Sequence, residues 1–539
     1  MSNTLEQLIL ENQRLMSKVA SLEEERDALI KAIDELQVER YLLKEELGKF
    51  KAYLFRAKRE RNVLPSTDVQ LKMFVEEFRE EEQKAAAKAK AAAEKEKEAK
   101  KKKQPKKSRK GITRIPIPEY LERETIIIEP DGVDTSKLTK IGEDITETLA
   151  FRQAKLYVKR IVRPKYADKT DEDKGIKQAN VPARIVPKGN IDDSFIIQML
   201  IEKVQFHIPV HRFVRKIKEQ HIDFVKENNT NNWFHKAAEL LLPLYYLFMK
   251  TLLAQNYLQI DESPIQVINK NKKGASVKSY MWVFFAPQQN ALVYHHDPTR
   301  SAGAIEEYVA NFKGFIQADG YSVYESLNKK YPDFELTHCL AHARRKFFEA
   351  KESDPTEAQY FIDHCKALYA IERKAREDKM TPQERHALRQ EKAVPILKKL
   401  KTWLTQKKED PTIIPNSLIY KAINYTHKRW DGLSAYAHKG NGILEIDNNL
   451  VENSIRPLAL GRRNYLFAGS NTAARNLAVL YSFVGTCLKR GINTTAYLNW
   501  LFQKVINQKI TPDAINWLPH NVKPEMFNAY NTQQKEEQK

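Results

Sequence analysis

At 539 residues and 62.7 kDa the chain exceeds what one hydrophobic core usually serves, so about two to four structural units are expected. Lys and Arg exceed Asp and Glu by 90 to 70, a net charge of +20 that favours polyanionic partners such as nucleic acid, with acidic membrane surfaces as the competitor. Three cysteines, Cys339, Cys365 and Cys487, exclude a disulfide framework, and no apolar run approaches the roughly 20 residues of a bilayer span or follows Met1 as a signal peptide would, so a cytosolic protein is expected.

Residues 1–55 read as a coiled-coil arm. Leucine recurs at 8, 15, 22, 29, 36 and 43, followed by Phe50. With these at d, Asn12, Val19, Arg26, Ile33, Arg40 and Leu47 fall at a, and a polar a residue such as Asn12 favours a two-stranded register. A homodimer or higher oligomer through this arm is expected. Residues 56–110 form a helical to disordered basic linker: Lys84 to Lys110 holds 13 Lys or Arg against 3 Glu, half of the net charge. A sequence-independent phosphate contact and a plain charged spacer fit it equally.

Residues 111–190, with β-branched runs at Thr125–Ile128 and Leu156–Val162, predict a small β-rich module. Residues 191–255 predict a helical, DNA-binding region. From Tyr257 strands are predicted at Tyr257–Ile260, Tyr280–Ala286, Ala291–His295, Phe315–Ala318 and Phe334–Leu340, with a helix near Ala304–Phe312. Three neighbouring strands, a helix and two more strands describe an α/β sheet that begins as a meander. The core is thus split into residues 256–348 and 441–500, around an α-helical insertion at 349–440; residues 501–539 read as a C-terminal tail. The cluster Asp447-Asn448-Asn449 predicts a helix N-cap.

Two carboxylates stand at strand ends, Asp261 and Asp319, where α/β folds place chemistry, and Glu452 falls about one turn into the last helix. Three convergent carboxylates suit hard cations, and two such ions clamp the attacking and leaving oxygens of a phosphoryl displacement. The same residues also read as turn caps, with Glu452 pairing Arg456 at i+4. Strand parity does not choose between Asp261 and Glu262. Cys339 and His342 form a Cys-x-x-His pair, but zinc needs four ligands and no second pair exists, so a partly buried strand end is the better reading.

The blocks Asp261-Glu262-Ser263-Pro264, Ala318-Asp319-Gly320-Tyr321, His338 to Phe347, Ile446 to Pro457 and Gly461 to Ser470 resemble the signature segments of transposases of the IS66 insertion-sequence family. The resemblance spans nearly the whole chain. It implies a ribonuclease-H-like catalytic core with a DDE triad, interrupted by a helical insertion, in which Asp261, Asp319 and Glu452 are both the catalytic and the metal-binding residues. It implies two Mg²⁺ (or Mn²⁺) ions, bridged by Asp261 and Asp319 with Glu452 completing one shell. It also implies double-stranded DNA, both transposon ends and target, as partner, small accessory proteins of the same element, and a bacterial, nucleoid-associated location away from membranes.

Members of that family commonly carry Cys-x-x-Cys pairs in the module before the core. Here Asp131–Lys140 and Ala167–Gly175 hold no cysteine, and the first histidine is His207, so the module is expected to be free of zinc. Arg344, Arg345 and Lys346, and Arg456, Arg462 and Arg463 near Glu452, are expected to present charge to a DNA backbone. Tyr321, Tyr324, Tyr425, Trp430 and Tyr436 read as core packing before base stacking. The function expected is a DDE-type transposase that cuts and joins DNA strands; the rival is a non-catalytic DNA-binding or accessory protein that has kept the fold.

Overall fold

The computed structural model describes residues 16–19, 21–22, 156–163, 165–167, 176–178, 180–187, 189–268, 275–523 and 525–527. The heptad arm, apart from two short helical pieces at 16–19 and 21–22, lies outside the described residues, as do the basic linker and most of the β-rich module. The chain divides into two compact units, residues 73–180 and the remainder. In the first, β1 (Lys165–Ala167) pairs antiparallel with β2 (Ile176–Gln178). The run Leu156–Val162 is not a strand: its side chains are exposed, Val158 at 93%, and a β-branched sequence becomes a strand only where a neighbour takes its backbone bonds and a core takes its face.

The larger unit is built on a mixed sheet of order β5-β4-β3-β6-β7, with β3 Tyr257–Ile268, β4 Ser276–Ala286, β5 Ala291–Asp297, β6 Gly314–Ala318 and β7 Phe334–His338. The first three form the expected antiparallel meander, and β6 and β7 run parallel to β3. Residues 281–286 are buried without alternation, the mark of a strand covered on both faces. This order and its helical cover fit a ribonuclease-H-like fold. A further two-residue strand, β8 (Phe467–Ala468), pairs parallel with β3 at Gln266–Val267; two residues leave no sequence signal of their own.

The expected helical region supplies α1 (Asp193–Val204), α2 (Val210–Lys218) and α3 (Glu227–Leu253), whose apolar sides enter the main core. Short α4 (Glu306–Val309) and α5 (Ser322–Lys330) flank β6. The insertion contains α6 (Leu340–Ala350), α7 (Pro355–Glu377), α8 (Pro382–Leu388), a π turn at Arg389–Ala393, α9 (Val394–Glu409), α10 (Leu418–Lys428) and α11 (Trp430–His438). It has a core of its own, centred on Phe347, Phe361, Leu400 and Trp403. Then come α12 (Asn449–Tyr465), α13 (Asn471–Arg490) and α14 (Thr494–Asn507).

Edge strand β5 is blocked by helix side chains. Thr486 Oγ1 of α13 accepts Leu292 N and donates to Leu292 O, both at 3.1 Å, Ser482 Oγ accepts Tyr294 N at 2.9 Å, and Tyr245 Oη of α3 donates to Tyr294 O at 2.8 Å. An edge so satisfied offers no template to another chain. For residues 501–523 and 525–527 the tail reading is corrected: Leu501 and Phe502 belong to α14, and Ala514, Leu518, Val522 and Phe527 follow on short 3₁₀ and irregular segments, all buried in the main core. No helix among the described residues is long and apolar enough to cross a membrane.

Candidate active site

Tyr257, Gln259 and Asp261 alternate along β3 and so project from one face. On the adjacent parallel strand Tyr257 pairs with Phe315 and Gln259 with Gln317. Asp261 lies two residues beyond the last of these pairs on β3, and Asp319 directly follows β6, near enough for its charge to act on Asp261. Glu452 reaches them from α12, and the route is fixed by a buried polar network. Gln259 Nε2 donates to Gln317 Oε1 at 2.8 Å and to the Asp447 carbonyl at 2.9 Å, while its Oε1 accepts Val451 N at 3.2 Å. Tyr257 Oη donates to Gln317 Oε1 at 2.5 Å and accepts Glu445 N at 3.1 Å; Gln317 Nε2 donates to Glu445 O at 2.8 Å. Three side chains of the sheet thus fasten the segment 445–451 to the face that bears both aspartates.

The helix start is local chemistry. Asp447 Oδ1 accepts Asn449 N at 3.0 Å and its Oδ2 accepts Tyr369 Oη at 2.8 Å, so Asp447 forms a side-chain turn into the helix, while the N-cap residue itself, Asn448, makes no side-chain cap bond. Asn448 N donates to Cys339 Sγ at 3.4 Å, tying α12 to the start of α6.

Several carboxylates act on Asp261 together. Burial, then the charges of Glu262, Glu452 and Asp319, hold Asp261 well above the ordinary carboxylate range. Burial also raises Asp319, against a hydrogen bond from Tyr321 N and the charges of Arg300, Arg429 and Arg345. Such mutual repulsion in a confined place is what a divalent cation relieves. Glu262 projects the other way: it accepts from Arg300 Nε at 2.7 Å and from Tyr324 Oη at 2.9 Å.

Gly320 in the Asp319-Gly320-Tyr321 turn is required by close approach, because a Cβ there would lie 2.5 Å from the Tyr425 ring. That ring carries Arg429 at 4.5 Å and Lys346 at 4.7 Å. Arg300, stacked on Tyr321 at 4.1 Å, and exposed Arg456 and Arg463 add further positive charge. Arg344 and Arg345, both expected to meet DNA, are 8% and 9% exposed: Arg344 lies 5.7 Å from the Tyr369 ring, while the charge of Arg345 reaches Asp319 and His342. Arg462 is half-buried and donates to Ser263 Oγ at 2.8 Å and to the Pro264 carbonyl.

His342 Nδ1 lies 3.9 Å from Glu452 Oε1, and ligand atoms of Cys339, His342 and Glu452 fall within 4.8 Å of one another. The sequence did not reveal that third member. Three atoms are one short of a structural zinc centre, and burial pushes the Cys339 thiol well above its usual range. The sequence reading also passed over Tyr257, Gln259, Gln317, Arg300 and Arg429. One signal was available: Gln259-x-Asp261 and Gln317-x-Asp319 repeat the same polar pair in two apolar strands.

A family model described as Transposase IS66 family matches residues 188–476, from just before α1 into α13. Two proteins of Sinorhizobium fredii, the uncharacterized proteins y4jD and y4hP, are similar to this chain at 30% and 29% identity. Each alignment covers 75% of this chain, with 80% and 76% of those proteins. A solved structure, the Mos1 transposase paired-end complex with left transposon end, aligns over 51% of this chain and 84% of that one at 11% identity, with a TM-score of 0.12 too low to argue from.

Proposed function

The chain belongs to the IS66 transposase family, and we propose on that premise that it is a DDE-type DNA transposase, cutting and joining DNA strands by metal-dependent phosphoryl transfer. The observation that carries the reading is the convergence of Asp261, Asp319 and Glu452, two on adjacent parallel strands and the third delivered by the Gln259–Gln317 network. The donor set, carboxylate oxygens that repel one another, suits Mg²⁺ or Mn²⁺, and Asp261, Asp319 and Glu452 would hold two such ions. When bound, they supply stabilisation of the charge on the entering and departing oxygens.

The chain's own residues do the rest. Burial, Arg345 and Lys346 push His342 down to about 3, so it stays neutral near pH 7 and puts no positive charge beside Glu452. Arg300, Lys346, Arg429 and Arg456 surround the carboxylates with groups that bind phosphate without reading sequence, and Arg463 extends that charge along α12. The heptad arm would join copies of the chain, and the basic linker would add salt-sensitive affinity. Small proteins of the same element are the expected accessory partners, and a nucleoid-associated, cytoplasmic site of action follows from the substrate.

The test is cleavage of a labelled duplex of the element's terminal sequence in Mg²⁺, with binding measured on the same preparations. Asp261→Asn, Asp319→Asn and Glu452→Gln should each abolish cleavage while affinity is kept. Near-normal cleavage by Glu452→Gln would remove the triad, and a wild-type chain that binds without cutting would make it the non-catalytic relative.

A further inference from the structure

On one edge β3 pairs with β6 at Tyr257–Gln259 and with β8 at Gln266–Val267. Among the described residues no strand covers Ile260–Ile265 on that edge, so the sheet has a notch. Asp319 follows β6 at one end of it. The turn Leu466–Phe467 bounds the other.

That turn has an unusual chemistry. Leu466 closes α12 with φ +66°, a left-handed conformation that a side chain bearing a Cβ rarely adopts. Its side chain is 63% exposed, and that of Phe467 is 47% exposed although its backbone is in the sheet. Arg463 and Asn464, just before, are exposed too. The turn is nevertheless held firmly: Tyr465 is buried beneath it, with Lys203 4.8 Å from its ring, and Arg462 ties the helix end to Ser263 and Pro264 of β3. A strained, anchored turn that offers two large apolar side chains next to a free guanidinium gains nothing in water. Backbone strain of this kind, when the surroundings enforce it, points to function.

Apolar side chains flanked by cations are what DNA-kinking proteins insert between base steps. Resting on the reading above as a DNA transposase, we infer that Leu466 and Phe467 form a wedge that enters the duplex and unstacks one base step, with Arg463 on the adjoining phosphate. The spacing is set by the strand. Asp261 and Gln266, the partner of Phe467, are five residues and about 17 Å apart along β3, on opposite faces of the strand with the open notch between them. At about 3.4 Å of rise per base pair, the unstacked step lies about five base pairs from the phosphate at the carboxylates. Deformation there makes recognition depend on the stacking energy of that step, so flexible pyrimidine–purine steps are favoured.

The experiment uses the full chain and a duplex of the element's terminal sequence carrying 2-aminopurine at successive positions, in buffer without divalent metal. Emission should rise on binding at one step, about five base pairs from the cut. Phe467→Ala and Leu466→Gly should each remove most of that rise. Leu466→Gly suits the backbone angle, so its melting temperature should equal or exceed that of the wild type, which separates loss of the wedge from loss of the fold. Duplex binding with no unstacked step, or an undiminished rise in both variants, overturns the wedge alone. Unchanged emission with a lowered oligomeric mass in the variants overturns it in favour of a contact between protein copies. A wild-type chain that does not bind the duplex at all overturns the transposase reading, and the wedge with it.

Discussion

Arg300 closes on Glu262 and not on its neighbour Asp261, with Nε 2.7 Å from Glu262 Oε1. Successive residues of a strand face opposite sides, and this ion pair occupies the Glu262 carboxylate, although the charge of Asp319 still reaches it. Glu262→Gln should therefore keep most cleavage activity and lose about 1 kcal/mol of stability, the usual worth of one such hydrogen bond. Asp261→Asn should lose cleavage altogether. Parallel cleavage and melting assays check this, and an inactive Glu262→Gln beside an active Asp261→Asn would reverse the assignment.

Gln259 contacts no substrate in this reading, yet it orients the segment that delivers Glu452. Gln259→Ala strands the Asp447 carbonyl and Val451 N, a cost of about 1–3 kcal/mol. Cleavage should fall with DNA affinity unchanged, and higher Mg²⁺ should restore part of it, because the defect is in placing one carboxylate. A Mg²⁺ titration of the cleavage rate reads this directly; equal losses at every Mg²⁺ concentration would refute it.

Within the insertion, Arg389 is wholly buried and donates to Glu372 at 2.7 and 2.8 Å, to Tyr436 O at 2.8 Å and to Leu444 O at 2.9 Å. Arg385 bridges Glu372 to Glu445, one residue beyond Leu444. Burial alone would raise Glu372, but Arg389 and Arg385 outweigh it and hold the carboxyl below its ordinary value. Arg389→Ala leaves Glu372 with Arg385 alone and strands the Tyr436 and Leu444 carbonyls, a cost of about 3 kcal/mol, whereas the double change Arg389→Leu with Glu372→Met should recover part of it. Denaturant melts of the single and double variants make the comparison. A double variant no more stable than the single one would contradict it.

Asp447 sets a pH dependence. Burial pushes it up to about 6, against hydrogen bonds from Tyr369 and Asn449. The folded chain thus binds this proton more tightly than the unfolded chain, whose carboxyl titrates near 4. The contribution is complete below about pH 4 and is lost as pH rises through about 6, a change of about 3 kcal/mol. Asp447→Asn should flatten the stability profile across that window. An unchanged slope in melts at several pH values would show that Asp447 is not its source.

The sheet was legible because its strands are apolar runs bounded by turns, and their order follows from their spacing. β8 was not, since Phe467–Ala468 joins the sheet only through tertiary pairing. Leu156–Val162 misled, because β-branched composition says nothing about an available partner. Residues 501–527 misled the other way, hiding Leu501, Phe502 and Leu518 among polar neighbours. Strand-end position picks out Asp319; the family resemblance alone selects Asp261 over Glu262, and the Arg300–Glu262 pair favours the same choice. Charge alone suggested that Arg344 and Arg345 face a substrate; packing leaves both largely buried, with the charge of Arg345 still directed at Asp319.

The bond from Gln259 to the Asp447 carbonyl joins residues 188 positions apart. A nascent chain therefore emerges with both aspartates long before the helix that brings Glu452. At roughly 5–20 residues per second, the ribosome needs on the order of ten seconds to make the stretch between Asp319 and Glu452. Throughout that interval the two strands can pair, but the network that completes the face has no partner. On the proposed function, cutting would be tied to translation that has passed the insertion, and a message truncated inside it yields a product with two carboxylates and no third.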